Sequence, residues 1–287
     1  MSSSAYREDG YLHLVGEVLN NTTANVEQVQ VAATFLDSEE RVLGTGVGFA
    51  EHTILAPGQR SPFDLMNLDI PSLANYRLVV NAVPILDDPV VQLNVRGLTG
   101  WVDQVGWHYY VGEVQNKSVA SIRWVRAVMT FYDGTGTVVN VASAPVLADV
   151  VRPDQVAPFR IIVRAGPVEA TSVVVSTDAQ HTADSPAPLA PFNATYQVDG
   201  EGWLHVLGEV ANQGTAEVGL VQAVVTLLDA EGQVINCDSA FTQPSSLLPG
   251  ASAPFDVVFR EHWQGWAGYR VTPIGQSQGL GPREGGR

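Results

Sequence analysis

The stretch YLHLVGEVLNN, residues 11–21, recurs twice along the chain, as WHYYVGEVQNK from Trp107 and as WLHVLGEVANQ from Trp203. The shared element Gly-Glu-Val-x-Asn returns at intervals of 96 residues. A repeat of this length is too long for a solenoid unit, and it fits a small domain with a core of its own. The sequence of 287 residues therefore predicts three tandem domains with one fold.

Other landmarks follow the same 96-residue interval. They are Gly16, Gly112 and Gly208; Asn20, Asn116 and Asn212; Asp37, Asp133 and Asp229; and Phe63, Phe159 and Phe255, each of which follows a proline. We interpret them as framework: glycine where a side chain would not fit, Asn and Asp that start turns, and Phe that fills a core. The predicted domains are 1–84, 89–178 and 190–275, and a Gly-rich disordered tail is predicted at 276–287.

Apolar residues within each copy alternate with a period of two, which is the strand value. In the third copy the even-numbered residues of 204–210 form a core face, and the odd-numbered residues of 203–209 form the opposite, outward face. The segments DGTG and DAEG, which begin at Asp133 and Asp229, are typical of hairpin turns between such strands. About seven short strands per copy and no amphipathic helix predict an all-β protein of three tandem immunoglobulin-like β-sandwich domains.

The glutamates of the repeated element are expected to face outward. Glu17, Glu113 and Glu209 alternate with core positions, so we expect them on solvent-exposed faces. If the following strand pairs as a hairpin, Glu113 meets Arg126 across it, and such an exposed pair contributes only about 0.2–1 kcal/mol.

Each copy resembles the FxLYD domain, a prokaryotic module named for a motif at the end of a strand. The matching segments are ATFLD, MTFYD and VTLLD, which end at Asp37, Asp133 and Asp229, together with the upstream Gly-Glu-Val-x-Asn and the downstream Pro-Phe. The resemblance implies a tandem FxLYD protein of the prokaryotic envelope, which acts without catalysis as an extracytoplasmic structural or adhesive rod with a protein or glycan partner at the cell surface. Such a location requires a leader, which we expect to have been removed or to lie outside the sequence given.

Composition excludes several classes of function. The chain has 15 basic and 30 acidic residues and a net charge of −15, which repels phosphate backbones and anionic lipid, so we expect no nucleic-acid partner. No apolar run is long enough to span a membrane. Cys237 is the only cysteine, which rules out an intrachain disulfide, and we expect a buried, inert thiol rather than a reactive one.

Catalytic and metal-binding patterns are missing from the sequence. The six histidines are scattered, and the patterns HExxH, GxSxG and the phosphate-binding glycine loop do not occur. We therefore predict no enzyme activity, no cofactor and no dedicated metal site. A weak calcium site on turn carboxylates such as Asp87 and Asp88 is the alternative.

The candidate ligand-binding residues are Trp263 and Trp266, in the loop HWQGWAGY of the third copy. Exposed aromatic side chains in such a loop would form a stacking platform for a glycan or a peptide. This gives the alternative function, a soluble glycan- or peptide-binding protein. The competing interpretation is that both rings close the open end of the sandwich.

The first copy begins too late to supply a full opening strand. The second and third copies have VVQLNVRGLTG and LAPFNATYQV before the shared aromatic residue, whereas the first has only MSSSAYREDG. We therefore expect its first strand to be shortened or absent. Either the sequence is trimmed at a leader junction, or an open strand edge accepts a strand from another chain and allows self-assembly.

Overall fold

The computed structural model describes residues 2–68, 70–90, 92–164 and 170–277, and these residues form β-strands and turns but no helix. Module one contains β1 (Ser2–Glu8), β2 (Tyr11–Leu19), β3 (Asn25–Leu36), β4 (Val42–Phe49), β5 (Ile54–Leu55), β6 (Arg60–Leu68) and β7 (Asn75–Ile85). Module two contains β8 (Leu93–Val102), β9 (His108–Asn116), β10 (Ile122–Tyr132), β11 (Val138–Pro145), β12 (Val150–Val151), β13 (Val156–Val163) and β14 (Ser172–His181). Module three contains β15 (Leu189–Val198), β16 (Leu204–Asn212), β17 (Val218–Leu228), β18 (Val234–Phe241), β19 (Ser252–Phe259) and β20 (Gly268–Ser277).

Each module is a sandwich of two antiparallel sheets. One, here called the Gly-Glu-Val sheet, has the order β1-β2-β6, β8-β9-β13 or β15-β16-β19 in the three modules. The other, here called the hairpin sheet, is centred on β3, β10 or β17, with β4, β11 or β18 on one side and β7, β14 or β20 on the other. The predicted all-β fold with three tandem β-sandwich domains is confirmed.

At the centre of each core a phenylalanine ring packs on a glycine of the neighbouring strand. Gly112 lies opposite Phe159 in the register of β9 and β13, and Phe159 is fully buried. A Cβ atom added to Gly112 would lie 2.8 Å from Cζ of Phe159, well inside the contact distance. Modules one and three repeat the arrangement with Gly16 and Gly208. The glycine of the repeated element is therefore required because the ring occupies the space of a side chain.

The asparagine of the element closes the turn that follows it. Asn116 is buried, and its Nδ2 donates to the carbonyl oxygens of Ala120 at 2.8 Å and Val151 at 2.9 Å. Its Oδ1 accepts the backbone N–H of Ser118 at 2.9 Å. Asn20 and Asn212 make the corresponding bonds.

The aspartate at the end of the next strand closes the hairpin predicted there. Oδ1 of Asp133 accepts the backbone N–H groups of Thr135 at 2.8 Å and Thr137 at 2.9 Å, and these bonds hold the pKa of Asp133 below its usual value. Oδ1 of Asp37 and Oδ1 of Asp229 accept the corresponding backbone N–H groups in the other modules. The interpretation of the repeated Asn and Asp as turn formers is confirmed by these bonds.

The expectation of solvent-exposed glutamates is wrong in two of the three modules. Glu17 is 8% exposed and Glu113 is 1% exposed, because the next module covers the outward face of each Gly-Glu-Val sheet. The predicted pair between Glu113 and Arg126 does not form, since β9 and β10 belong to different sheets, and Arg126 pairs with Glu51 at 2.9 Å. A period of two identifies two faces, but it does not tell solvent from a neighbouring module.

Both ends of the chain depart in part from expectation. β1 pairs with β2 from Ser2 opposite Glu17 onward, so an absent first strand is wrong. It is shortened, because β8 also pairs with Val114 and Gln115 of β9, whereas the equivalent residues Val18 and Leu19 of β2 pair only with β6 among the described residues. At the other end β20 extends to Ser277 through its pairing with β17, so the predicted tail does not begin at residue 276. Residues 278–287 lie outside the described residues.

Candidate functional site

Histidine–aspartate pairs are the clusters nearest to catalytic chemistry, and both lie on outward faces of the Gly-Glu-Val sheets. Nδ1 of His205 lies 2.9 Å from Oδ2 of Asp256, and its Nε2 lies 3.2 Å from Oδ2 of Asp199. The hydrogen bond that the imidazole donates to the carboxylate of Asp256 raises the pKa of His205. His13 is held in the same way by Asp64, at 2.9 Å.

These pairs lack the remaining parts of a catalytic or metal site in the part of the chain that the structure describes. The described hydrogen bonds of both imidazoles go to carboxylates, and none joins a ring to a hydroxyl or thiol nucleophile. Within the same residues no group of three or more His, Cys, Asp or Glu side chains is arranged to hold a metal ion. The thiol of Cys237 is fully buried, and burial raises its pKa to about 12.

The two candidate tryptophans lie against the core of module three. Trp263 and Trp266 are half-buried and pack on its apolar cluster. The ring of Trp266 meets Tyr196 edge-on, with 4.8 Å between centroids, and lies 6.1 Å from Tyr269. This packing favours closure of the sandwich end, while the 55% exposure of Tyr196 leaves an aromatic edge in solvent. Ligand binding by this cluster stays a prediction.

The loop that carries these tryptophans also reaches module two. His262 stacks on Trp101 with 4.1 Å between centroids and 5° between planes, and Trp101 stacks in turn on Tyr109 at 5.0 Å. The aromatic loop is therefore also part of the junction between modules two and three.

The first junction places β11 of module two on the outward face of β1, β2 and β6. Val15 is buried there in one cluster with Val128, Val138 and Val141. The buried carboxylate of Glu17 accepts a hydrogen bond from the hydroxyl of Tyr132, with 2.6 Å between Oη and Oε1.

Polar contacts at the margin of the first junction fix the two modules against each other. Ser4 Oγ donates to the carbonyl oxygen of Val138 at 2.6 Å, and Thr53 Oγ1 donates to Oδ2 of Asp178 at the same distance. Together with the buried valines they define one relative orientation of modules one and two.

The second junction repeats this design with different residues. β18 lies on the outward face of β8, β9 and β13, where Val111 is buried with Val234 and Cys237. The carboxylate of Glu113 accepts hydrogen bonds from Arg270 of module three and forms an ion pair with Arg96 of its own module at 3.2 Å.

A second ion pair crosses this junction, between Arg160 and Asp238 at 2.9 Å. Both junctions therefore consist of an apolar centre, a buried glutamate with a partner from the next module, and polar contacts at the margin. The sequence carried one signal for them, which is that the outward faces contain valines where solvent-exposed strands usually carry polar residues.

Among the clefts formed by the described residues, two bear on the second junction and on the predicted strand addition. One, of about 720 Å³, lies at the second junction and is lined by residues that include Trp124 and Arg123, whose guanidinium lies 4.0 Å from the centroid of the Trp124 ring. The other, of about 440 Å³, lies in module one beside Val18 and Leu19, where β1 stops short. The addition of a strand from another chain stays a prediction, and this second cleft is the place where such a strand would bind.

Comparisons with known proteins give no functional assignment. No protein family and no curated protein matches the sequence. Among solved structures, a beta-glucuronidase from glycoside hydrolase family 2 is similar over 86% of this chain, with 10% identity and a TM-score of 0.21. A calcium-binding mutant of Bacteroides uniformis beta-glucuronidase 2 is similar over 84%, with 11% identity and the same TM-score.

The chain spans about a quarter of the length of each of these glucuronidases, 25% and 28%. Similarity at this level carries no conclusion about function. Among the described residues, no helix has the length and apolar character needed to cross a membrane.

Proposed function

We propose that the chain is a non-catalytic structural or adhesive rod that acts outside the cytoplasm as a tandem FxLYD-type protein. The observation that carries this proposal is the pair of buried junctions. Sandwich modules joined only by linkers would move independently, whereas here each junction excludes water from a glutamate and from a cluster of apolar side chains. Such a rod holds a partner-binding surface at a fixed distance and orientation from the opposite end.

The buried carboxylates support a role in fixing orientation. Breaking a buried ion pair by removal of one partner costs about 3–5 kcal/mol, because the other charge is left without compensation. If module three rotated on module two, Glu113 would lose its bond to Arg270 and keep only the ion pair with Arg96 of its own module. The rod is therefore stiff at this junction for an electrostatic as well as a hydrophobic reason.

The extracytoplasmic location rests on the sequence. Only 16% of residues are charged and acidic residues are in excess, as is common in extracellular β-proteins, and the three copies carry the FxLYD-like pattern. Immunogold labelling or cell fractionation of the native organism tests the location. Recovery of the protein only in the cytoplasmic fraction would contradict it.

One specific observation favours a second function, which is binding of a glycan or peptide by module three. The partly exposed cluster of Tyr196, Trp266 and Tyr269 offers ring edges and faces to a ligand. A glycan and peptide array with the parent chain, with Trp266→Ala and with Trp124→Ala as the matched tryptophan control tests it. Binding that only Trp266→Ala removes, in a variant that stays folded, favours a binding protein.

Small-angle X-ray scattering tests the rod itself. The proposal expects a single elongated particle whose dimensions agree with the arrangement of modules described above, without the broad distribution of distances that flexible linkers give. A distribution typical of three independently moving domains would contradict it.

A further inference from the structure

The outward face of the Gly-Glu-Val sheet can be compared position by position among the three modules. In modules one and two it is buried under the following module, and the buried positions are Val15, Glu17, Pro62, Val111, Glu113 and Pro158. The counterparts on module three are Leu207 and Glu209, which are half-buried, and Pro254, which is exposed. The described part of the chain places no module on this face, although Leu207 keeps the apolar character of the junctions.

The hairpin sheets show the opposite pattern. Val138 in module two and Val234 in module three are 0% and 1% exposed, because they lie against the preceding module. Their counterpart on module one, Val42, is 64% exposed. The same face of module one also exposes more than half of Val47 and Phe49. Large exposed apolar surfaces of this kind usually mark an interaction site.

The two uncovered faces carry opposite charges at the positions that form an arginine–glutamate pair at the second junction. Arg270, which binds Glu113 there, lies opposite Thr226 in its sheet. Arg77 of module one lies opposite Thr34, the equivalent position two repeats earlier, so it occupies the place of Arg270 on the uncovered face. There it forms an exposed ion pair with Glu40 of its own module at 2.9 Å.

The uncovered face of module three carries the equivalent of Glu113. This residue is Glu209, whose carboxylate accepts a hydrogen bond from the exposed Ser252 within its own module. Arg77 is therefore the equivalent of Arg270, and Glu209 is the equivalent of Glu113. The chain forms the pair of Arg270 and Glu113 internally, whereas Arg77 and Glu209 lie on uncovered faces of modules one and three.

We propose that a second copy of this chain docks on the first by repeating the internal junction. The Gly-Glu-Val sheet of module three in one copy receives β4 of module one in the next copy, with Leu207 against Val42 and Glu209 against Arg77. The partner is a second copy because both halves of the interface are present on one molecule, and because the chain already uses the same interface twice.

The geometry of this contact determines the kind of assembly. The two faces are different surfaces, so the contact is heterologous, and every added copy leaves one face of each type uncovered. Head-to-tail association of this kind grows into a linear assembly unless the rotation per copy closes a ring. The inference goes beyond the proposed function, since a monomeric rod would still act as a spacer and an assembling one need not reside outside the cytoplasm.

Sedimentation velocity and light scattering on the full chain, from about 1 μM to about 1 mM, test the proposal. The average mass of the parent chain is expected to increase with concentration. Glu209→Arg disables the face of module three, and Val42→Asp disables the face of module one. Each variant alone is expected to stay monomeric. An equimolar mixture is expected to form a complex of two chains, in which the intact face of module three in Val42→Asp binds the intact face of module one in Glu209→Arg. No intact face is then left, so the assembly stops at two chains.

Two further variants separate this interface from general effects. Glu201→Arg makes the same charge change in the exposed turn between β15 and β16 and is expected to assemble like the parent. The double exchange of Arg77→Glu and Glu209→Arg restores the charge complementarity and is expected to recover assembly. The proposal is overturned if the parent chain stays monomeric over the whole concentration range. It is also overturned if Glu209→Arg or Val42→Asp stays folded and assembles like the parent chain. A mixture of the two that grows beyond two chains overturns it as well.

Discussion

Replacement of Phe159 by alanine tests whether the three modules unfold as a unit. The side chain is fully buried on Gly112 at the centre of module two. Large-to-small changes of this kind cost about 3–5 kcal/mol. If module two were independent, that loss would remain within it.

The first junction is large enough to couple its neighbours. It buries Val15, Val128, Val138 and Val141 in one cluster, and burial of a valine contributes about 1.5–3 kcal/mol, so the cluster contributes on the order of 6–12 kcal/mol as an upper bound. Part of each valine is already covered by its own module, which reduces the share that belongs to the junction. The remainder is still comparable with the total stability of a small domain, about 5–15 kcal/mol.

The expected result for Phe159→Ala is a single unfolding transition at lower temperature. For one cooperative unit of this size the melting temperature falls by roughly 2 °C per kcal/mol, which gives a decrease of about 6–10 °C. If module two, with about 95 residues, were independent, it would unfold separately. Its melting temperature would fall by roughly 4–8 °C per kcal/mol, hence by at least about 12 °C.

Differential scanning calorimetry combined with hydrogen exchange resolved by module measures both quantities. Phe241→Ala, at an exposed position, is the matched control, and its effect should stay within about 0.5 kcal/mol. Phe255→Ala, the equivalent change in module three, should lower the same single transition. A low-temperature transition of Phe159→Ala in which only residues 93–181 lose protection would refute the coupling.

Three other predictions follow from particular contacts. Gly208→Ala places a methyl group 2.8 Å from the ring across the strand and should cost about 1–3 kcal/mol in a denaturant titration, whereas Gly200→Ala, with no atom within 4 Å, should cost much less. Burial holds the pKa of His52 below its usual 6.5, against the opposing effects of Asp178 and Glu51, so the unfolded chain binds a proton that the folded chain does not, and the free energy of unfolding should fall as the pH drops below about 6.5. His52→Ala should show a smaller fall between about pH 7.5 and about pH 5.5, and an unchanged pH dependence would contradict the assignment. A peptide with the sequence of residues 90–96 should occupy the cleft beside β1 and raise the melting temperature, and a scrambled peptide should not.

The cores and turns were predictable from the sequence because the residues that form them recur at the same positions in every copy. Gly112 and Phe159 lie on neighbouring strands at repeat positions, and the period of two places both on the core face. The Asn and Asp turns depend on bonds to a backbone only two to four residues away. Such interactions leave a sequence signature in every copy, and three copies make the signature unambiguous.

The junctions were not predictable in the same way. Tyr132 and Glu17 are 115 residues apart in the sequence, and no local pattern links them. The partner of the glutamate also differs between copies, since Tyr132 supplies a hydroxyl at the first junction and Arg270 a guanidinium at the second. The glutamate is therefore recognisable as a constant feature of the repeat, but its function is not, because the residue that explains it varies.

This variation also indicates what the glutamate does. A carboxylate on an exposed sheet costs little, but a carboxylate buried by a neighbouring module is costly unless a donor meets it. Arg60 and Arg96 pair with Glu17 and Glu113 within the same module, and the docking module adds a further donor, Tyr132 at the first junction and Arg270 at the second. We interpret the glutamate as a device that selects the face and orientation of the next module, at some cost in stability. On module three we infer the same role for Glu209, and Arg77 of a second copy is the partner that the proposed assembly supplies.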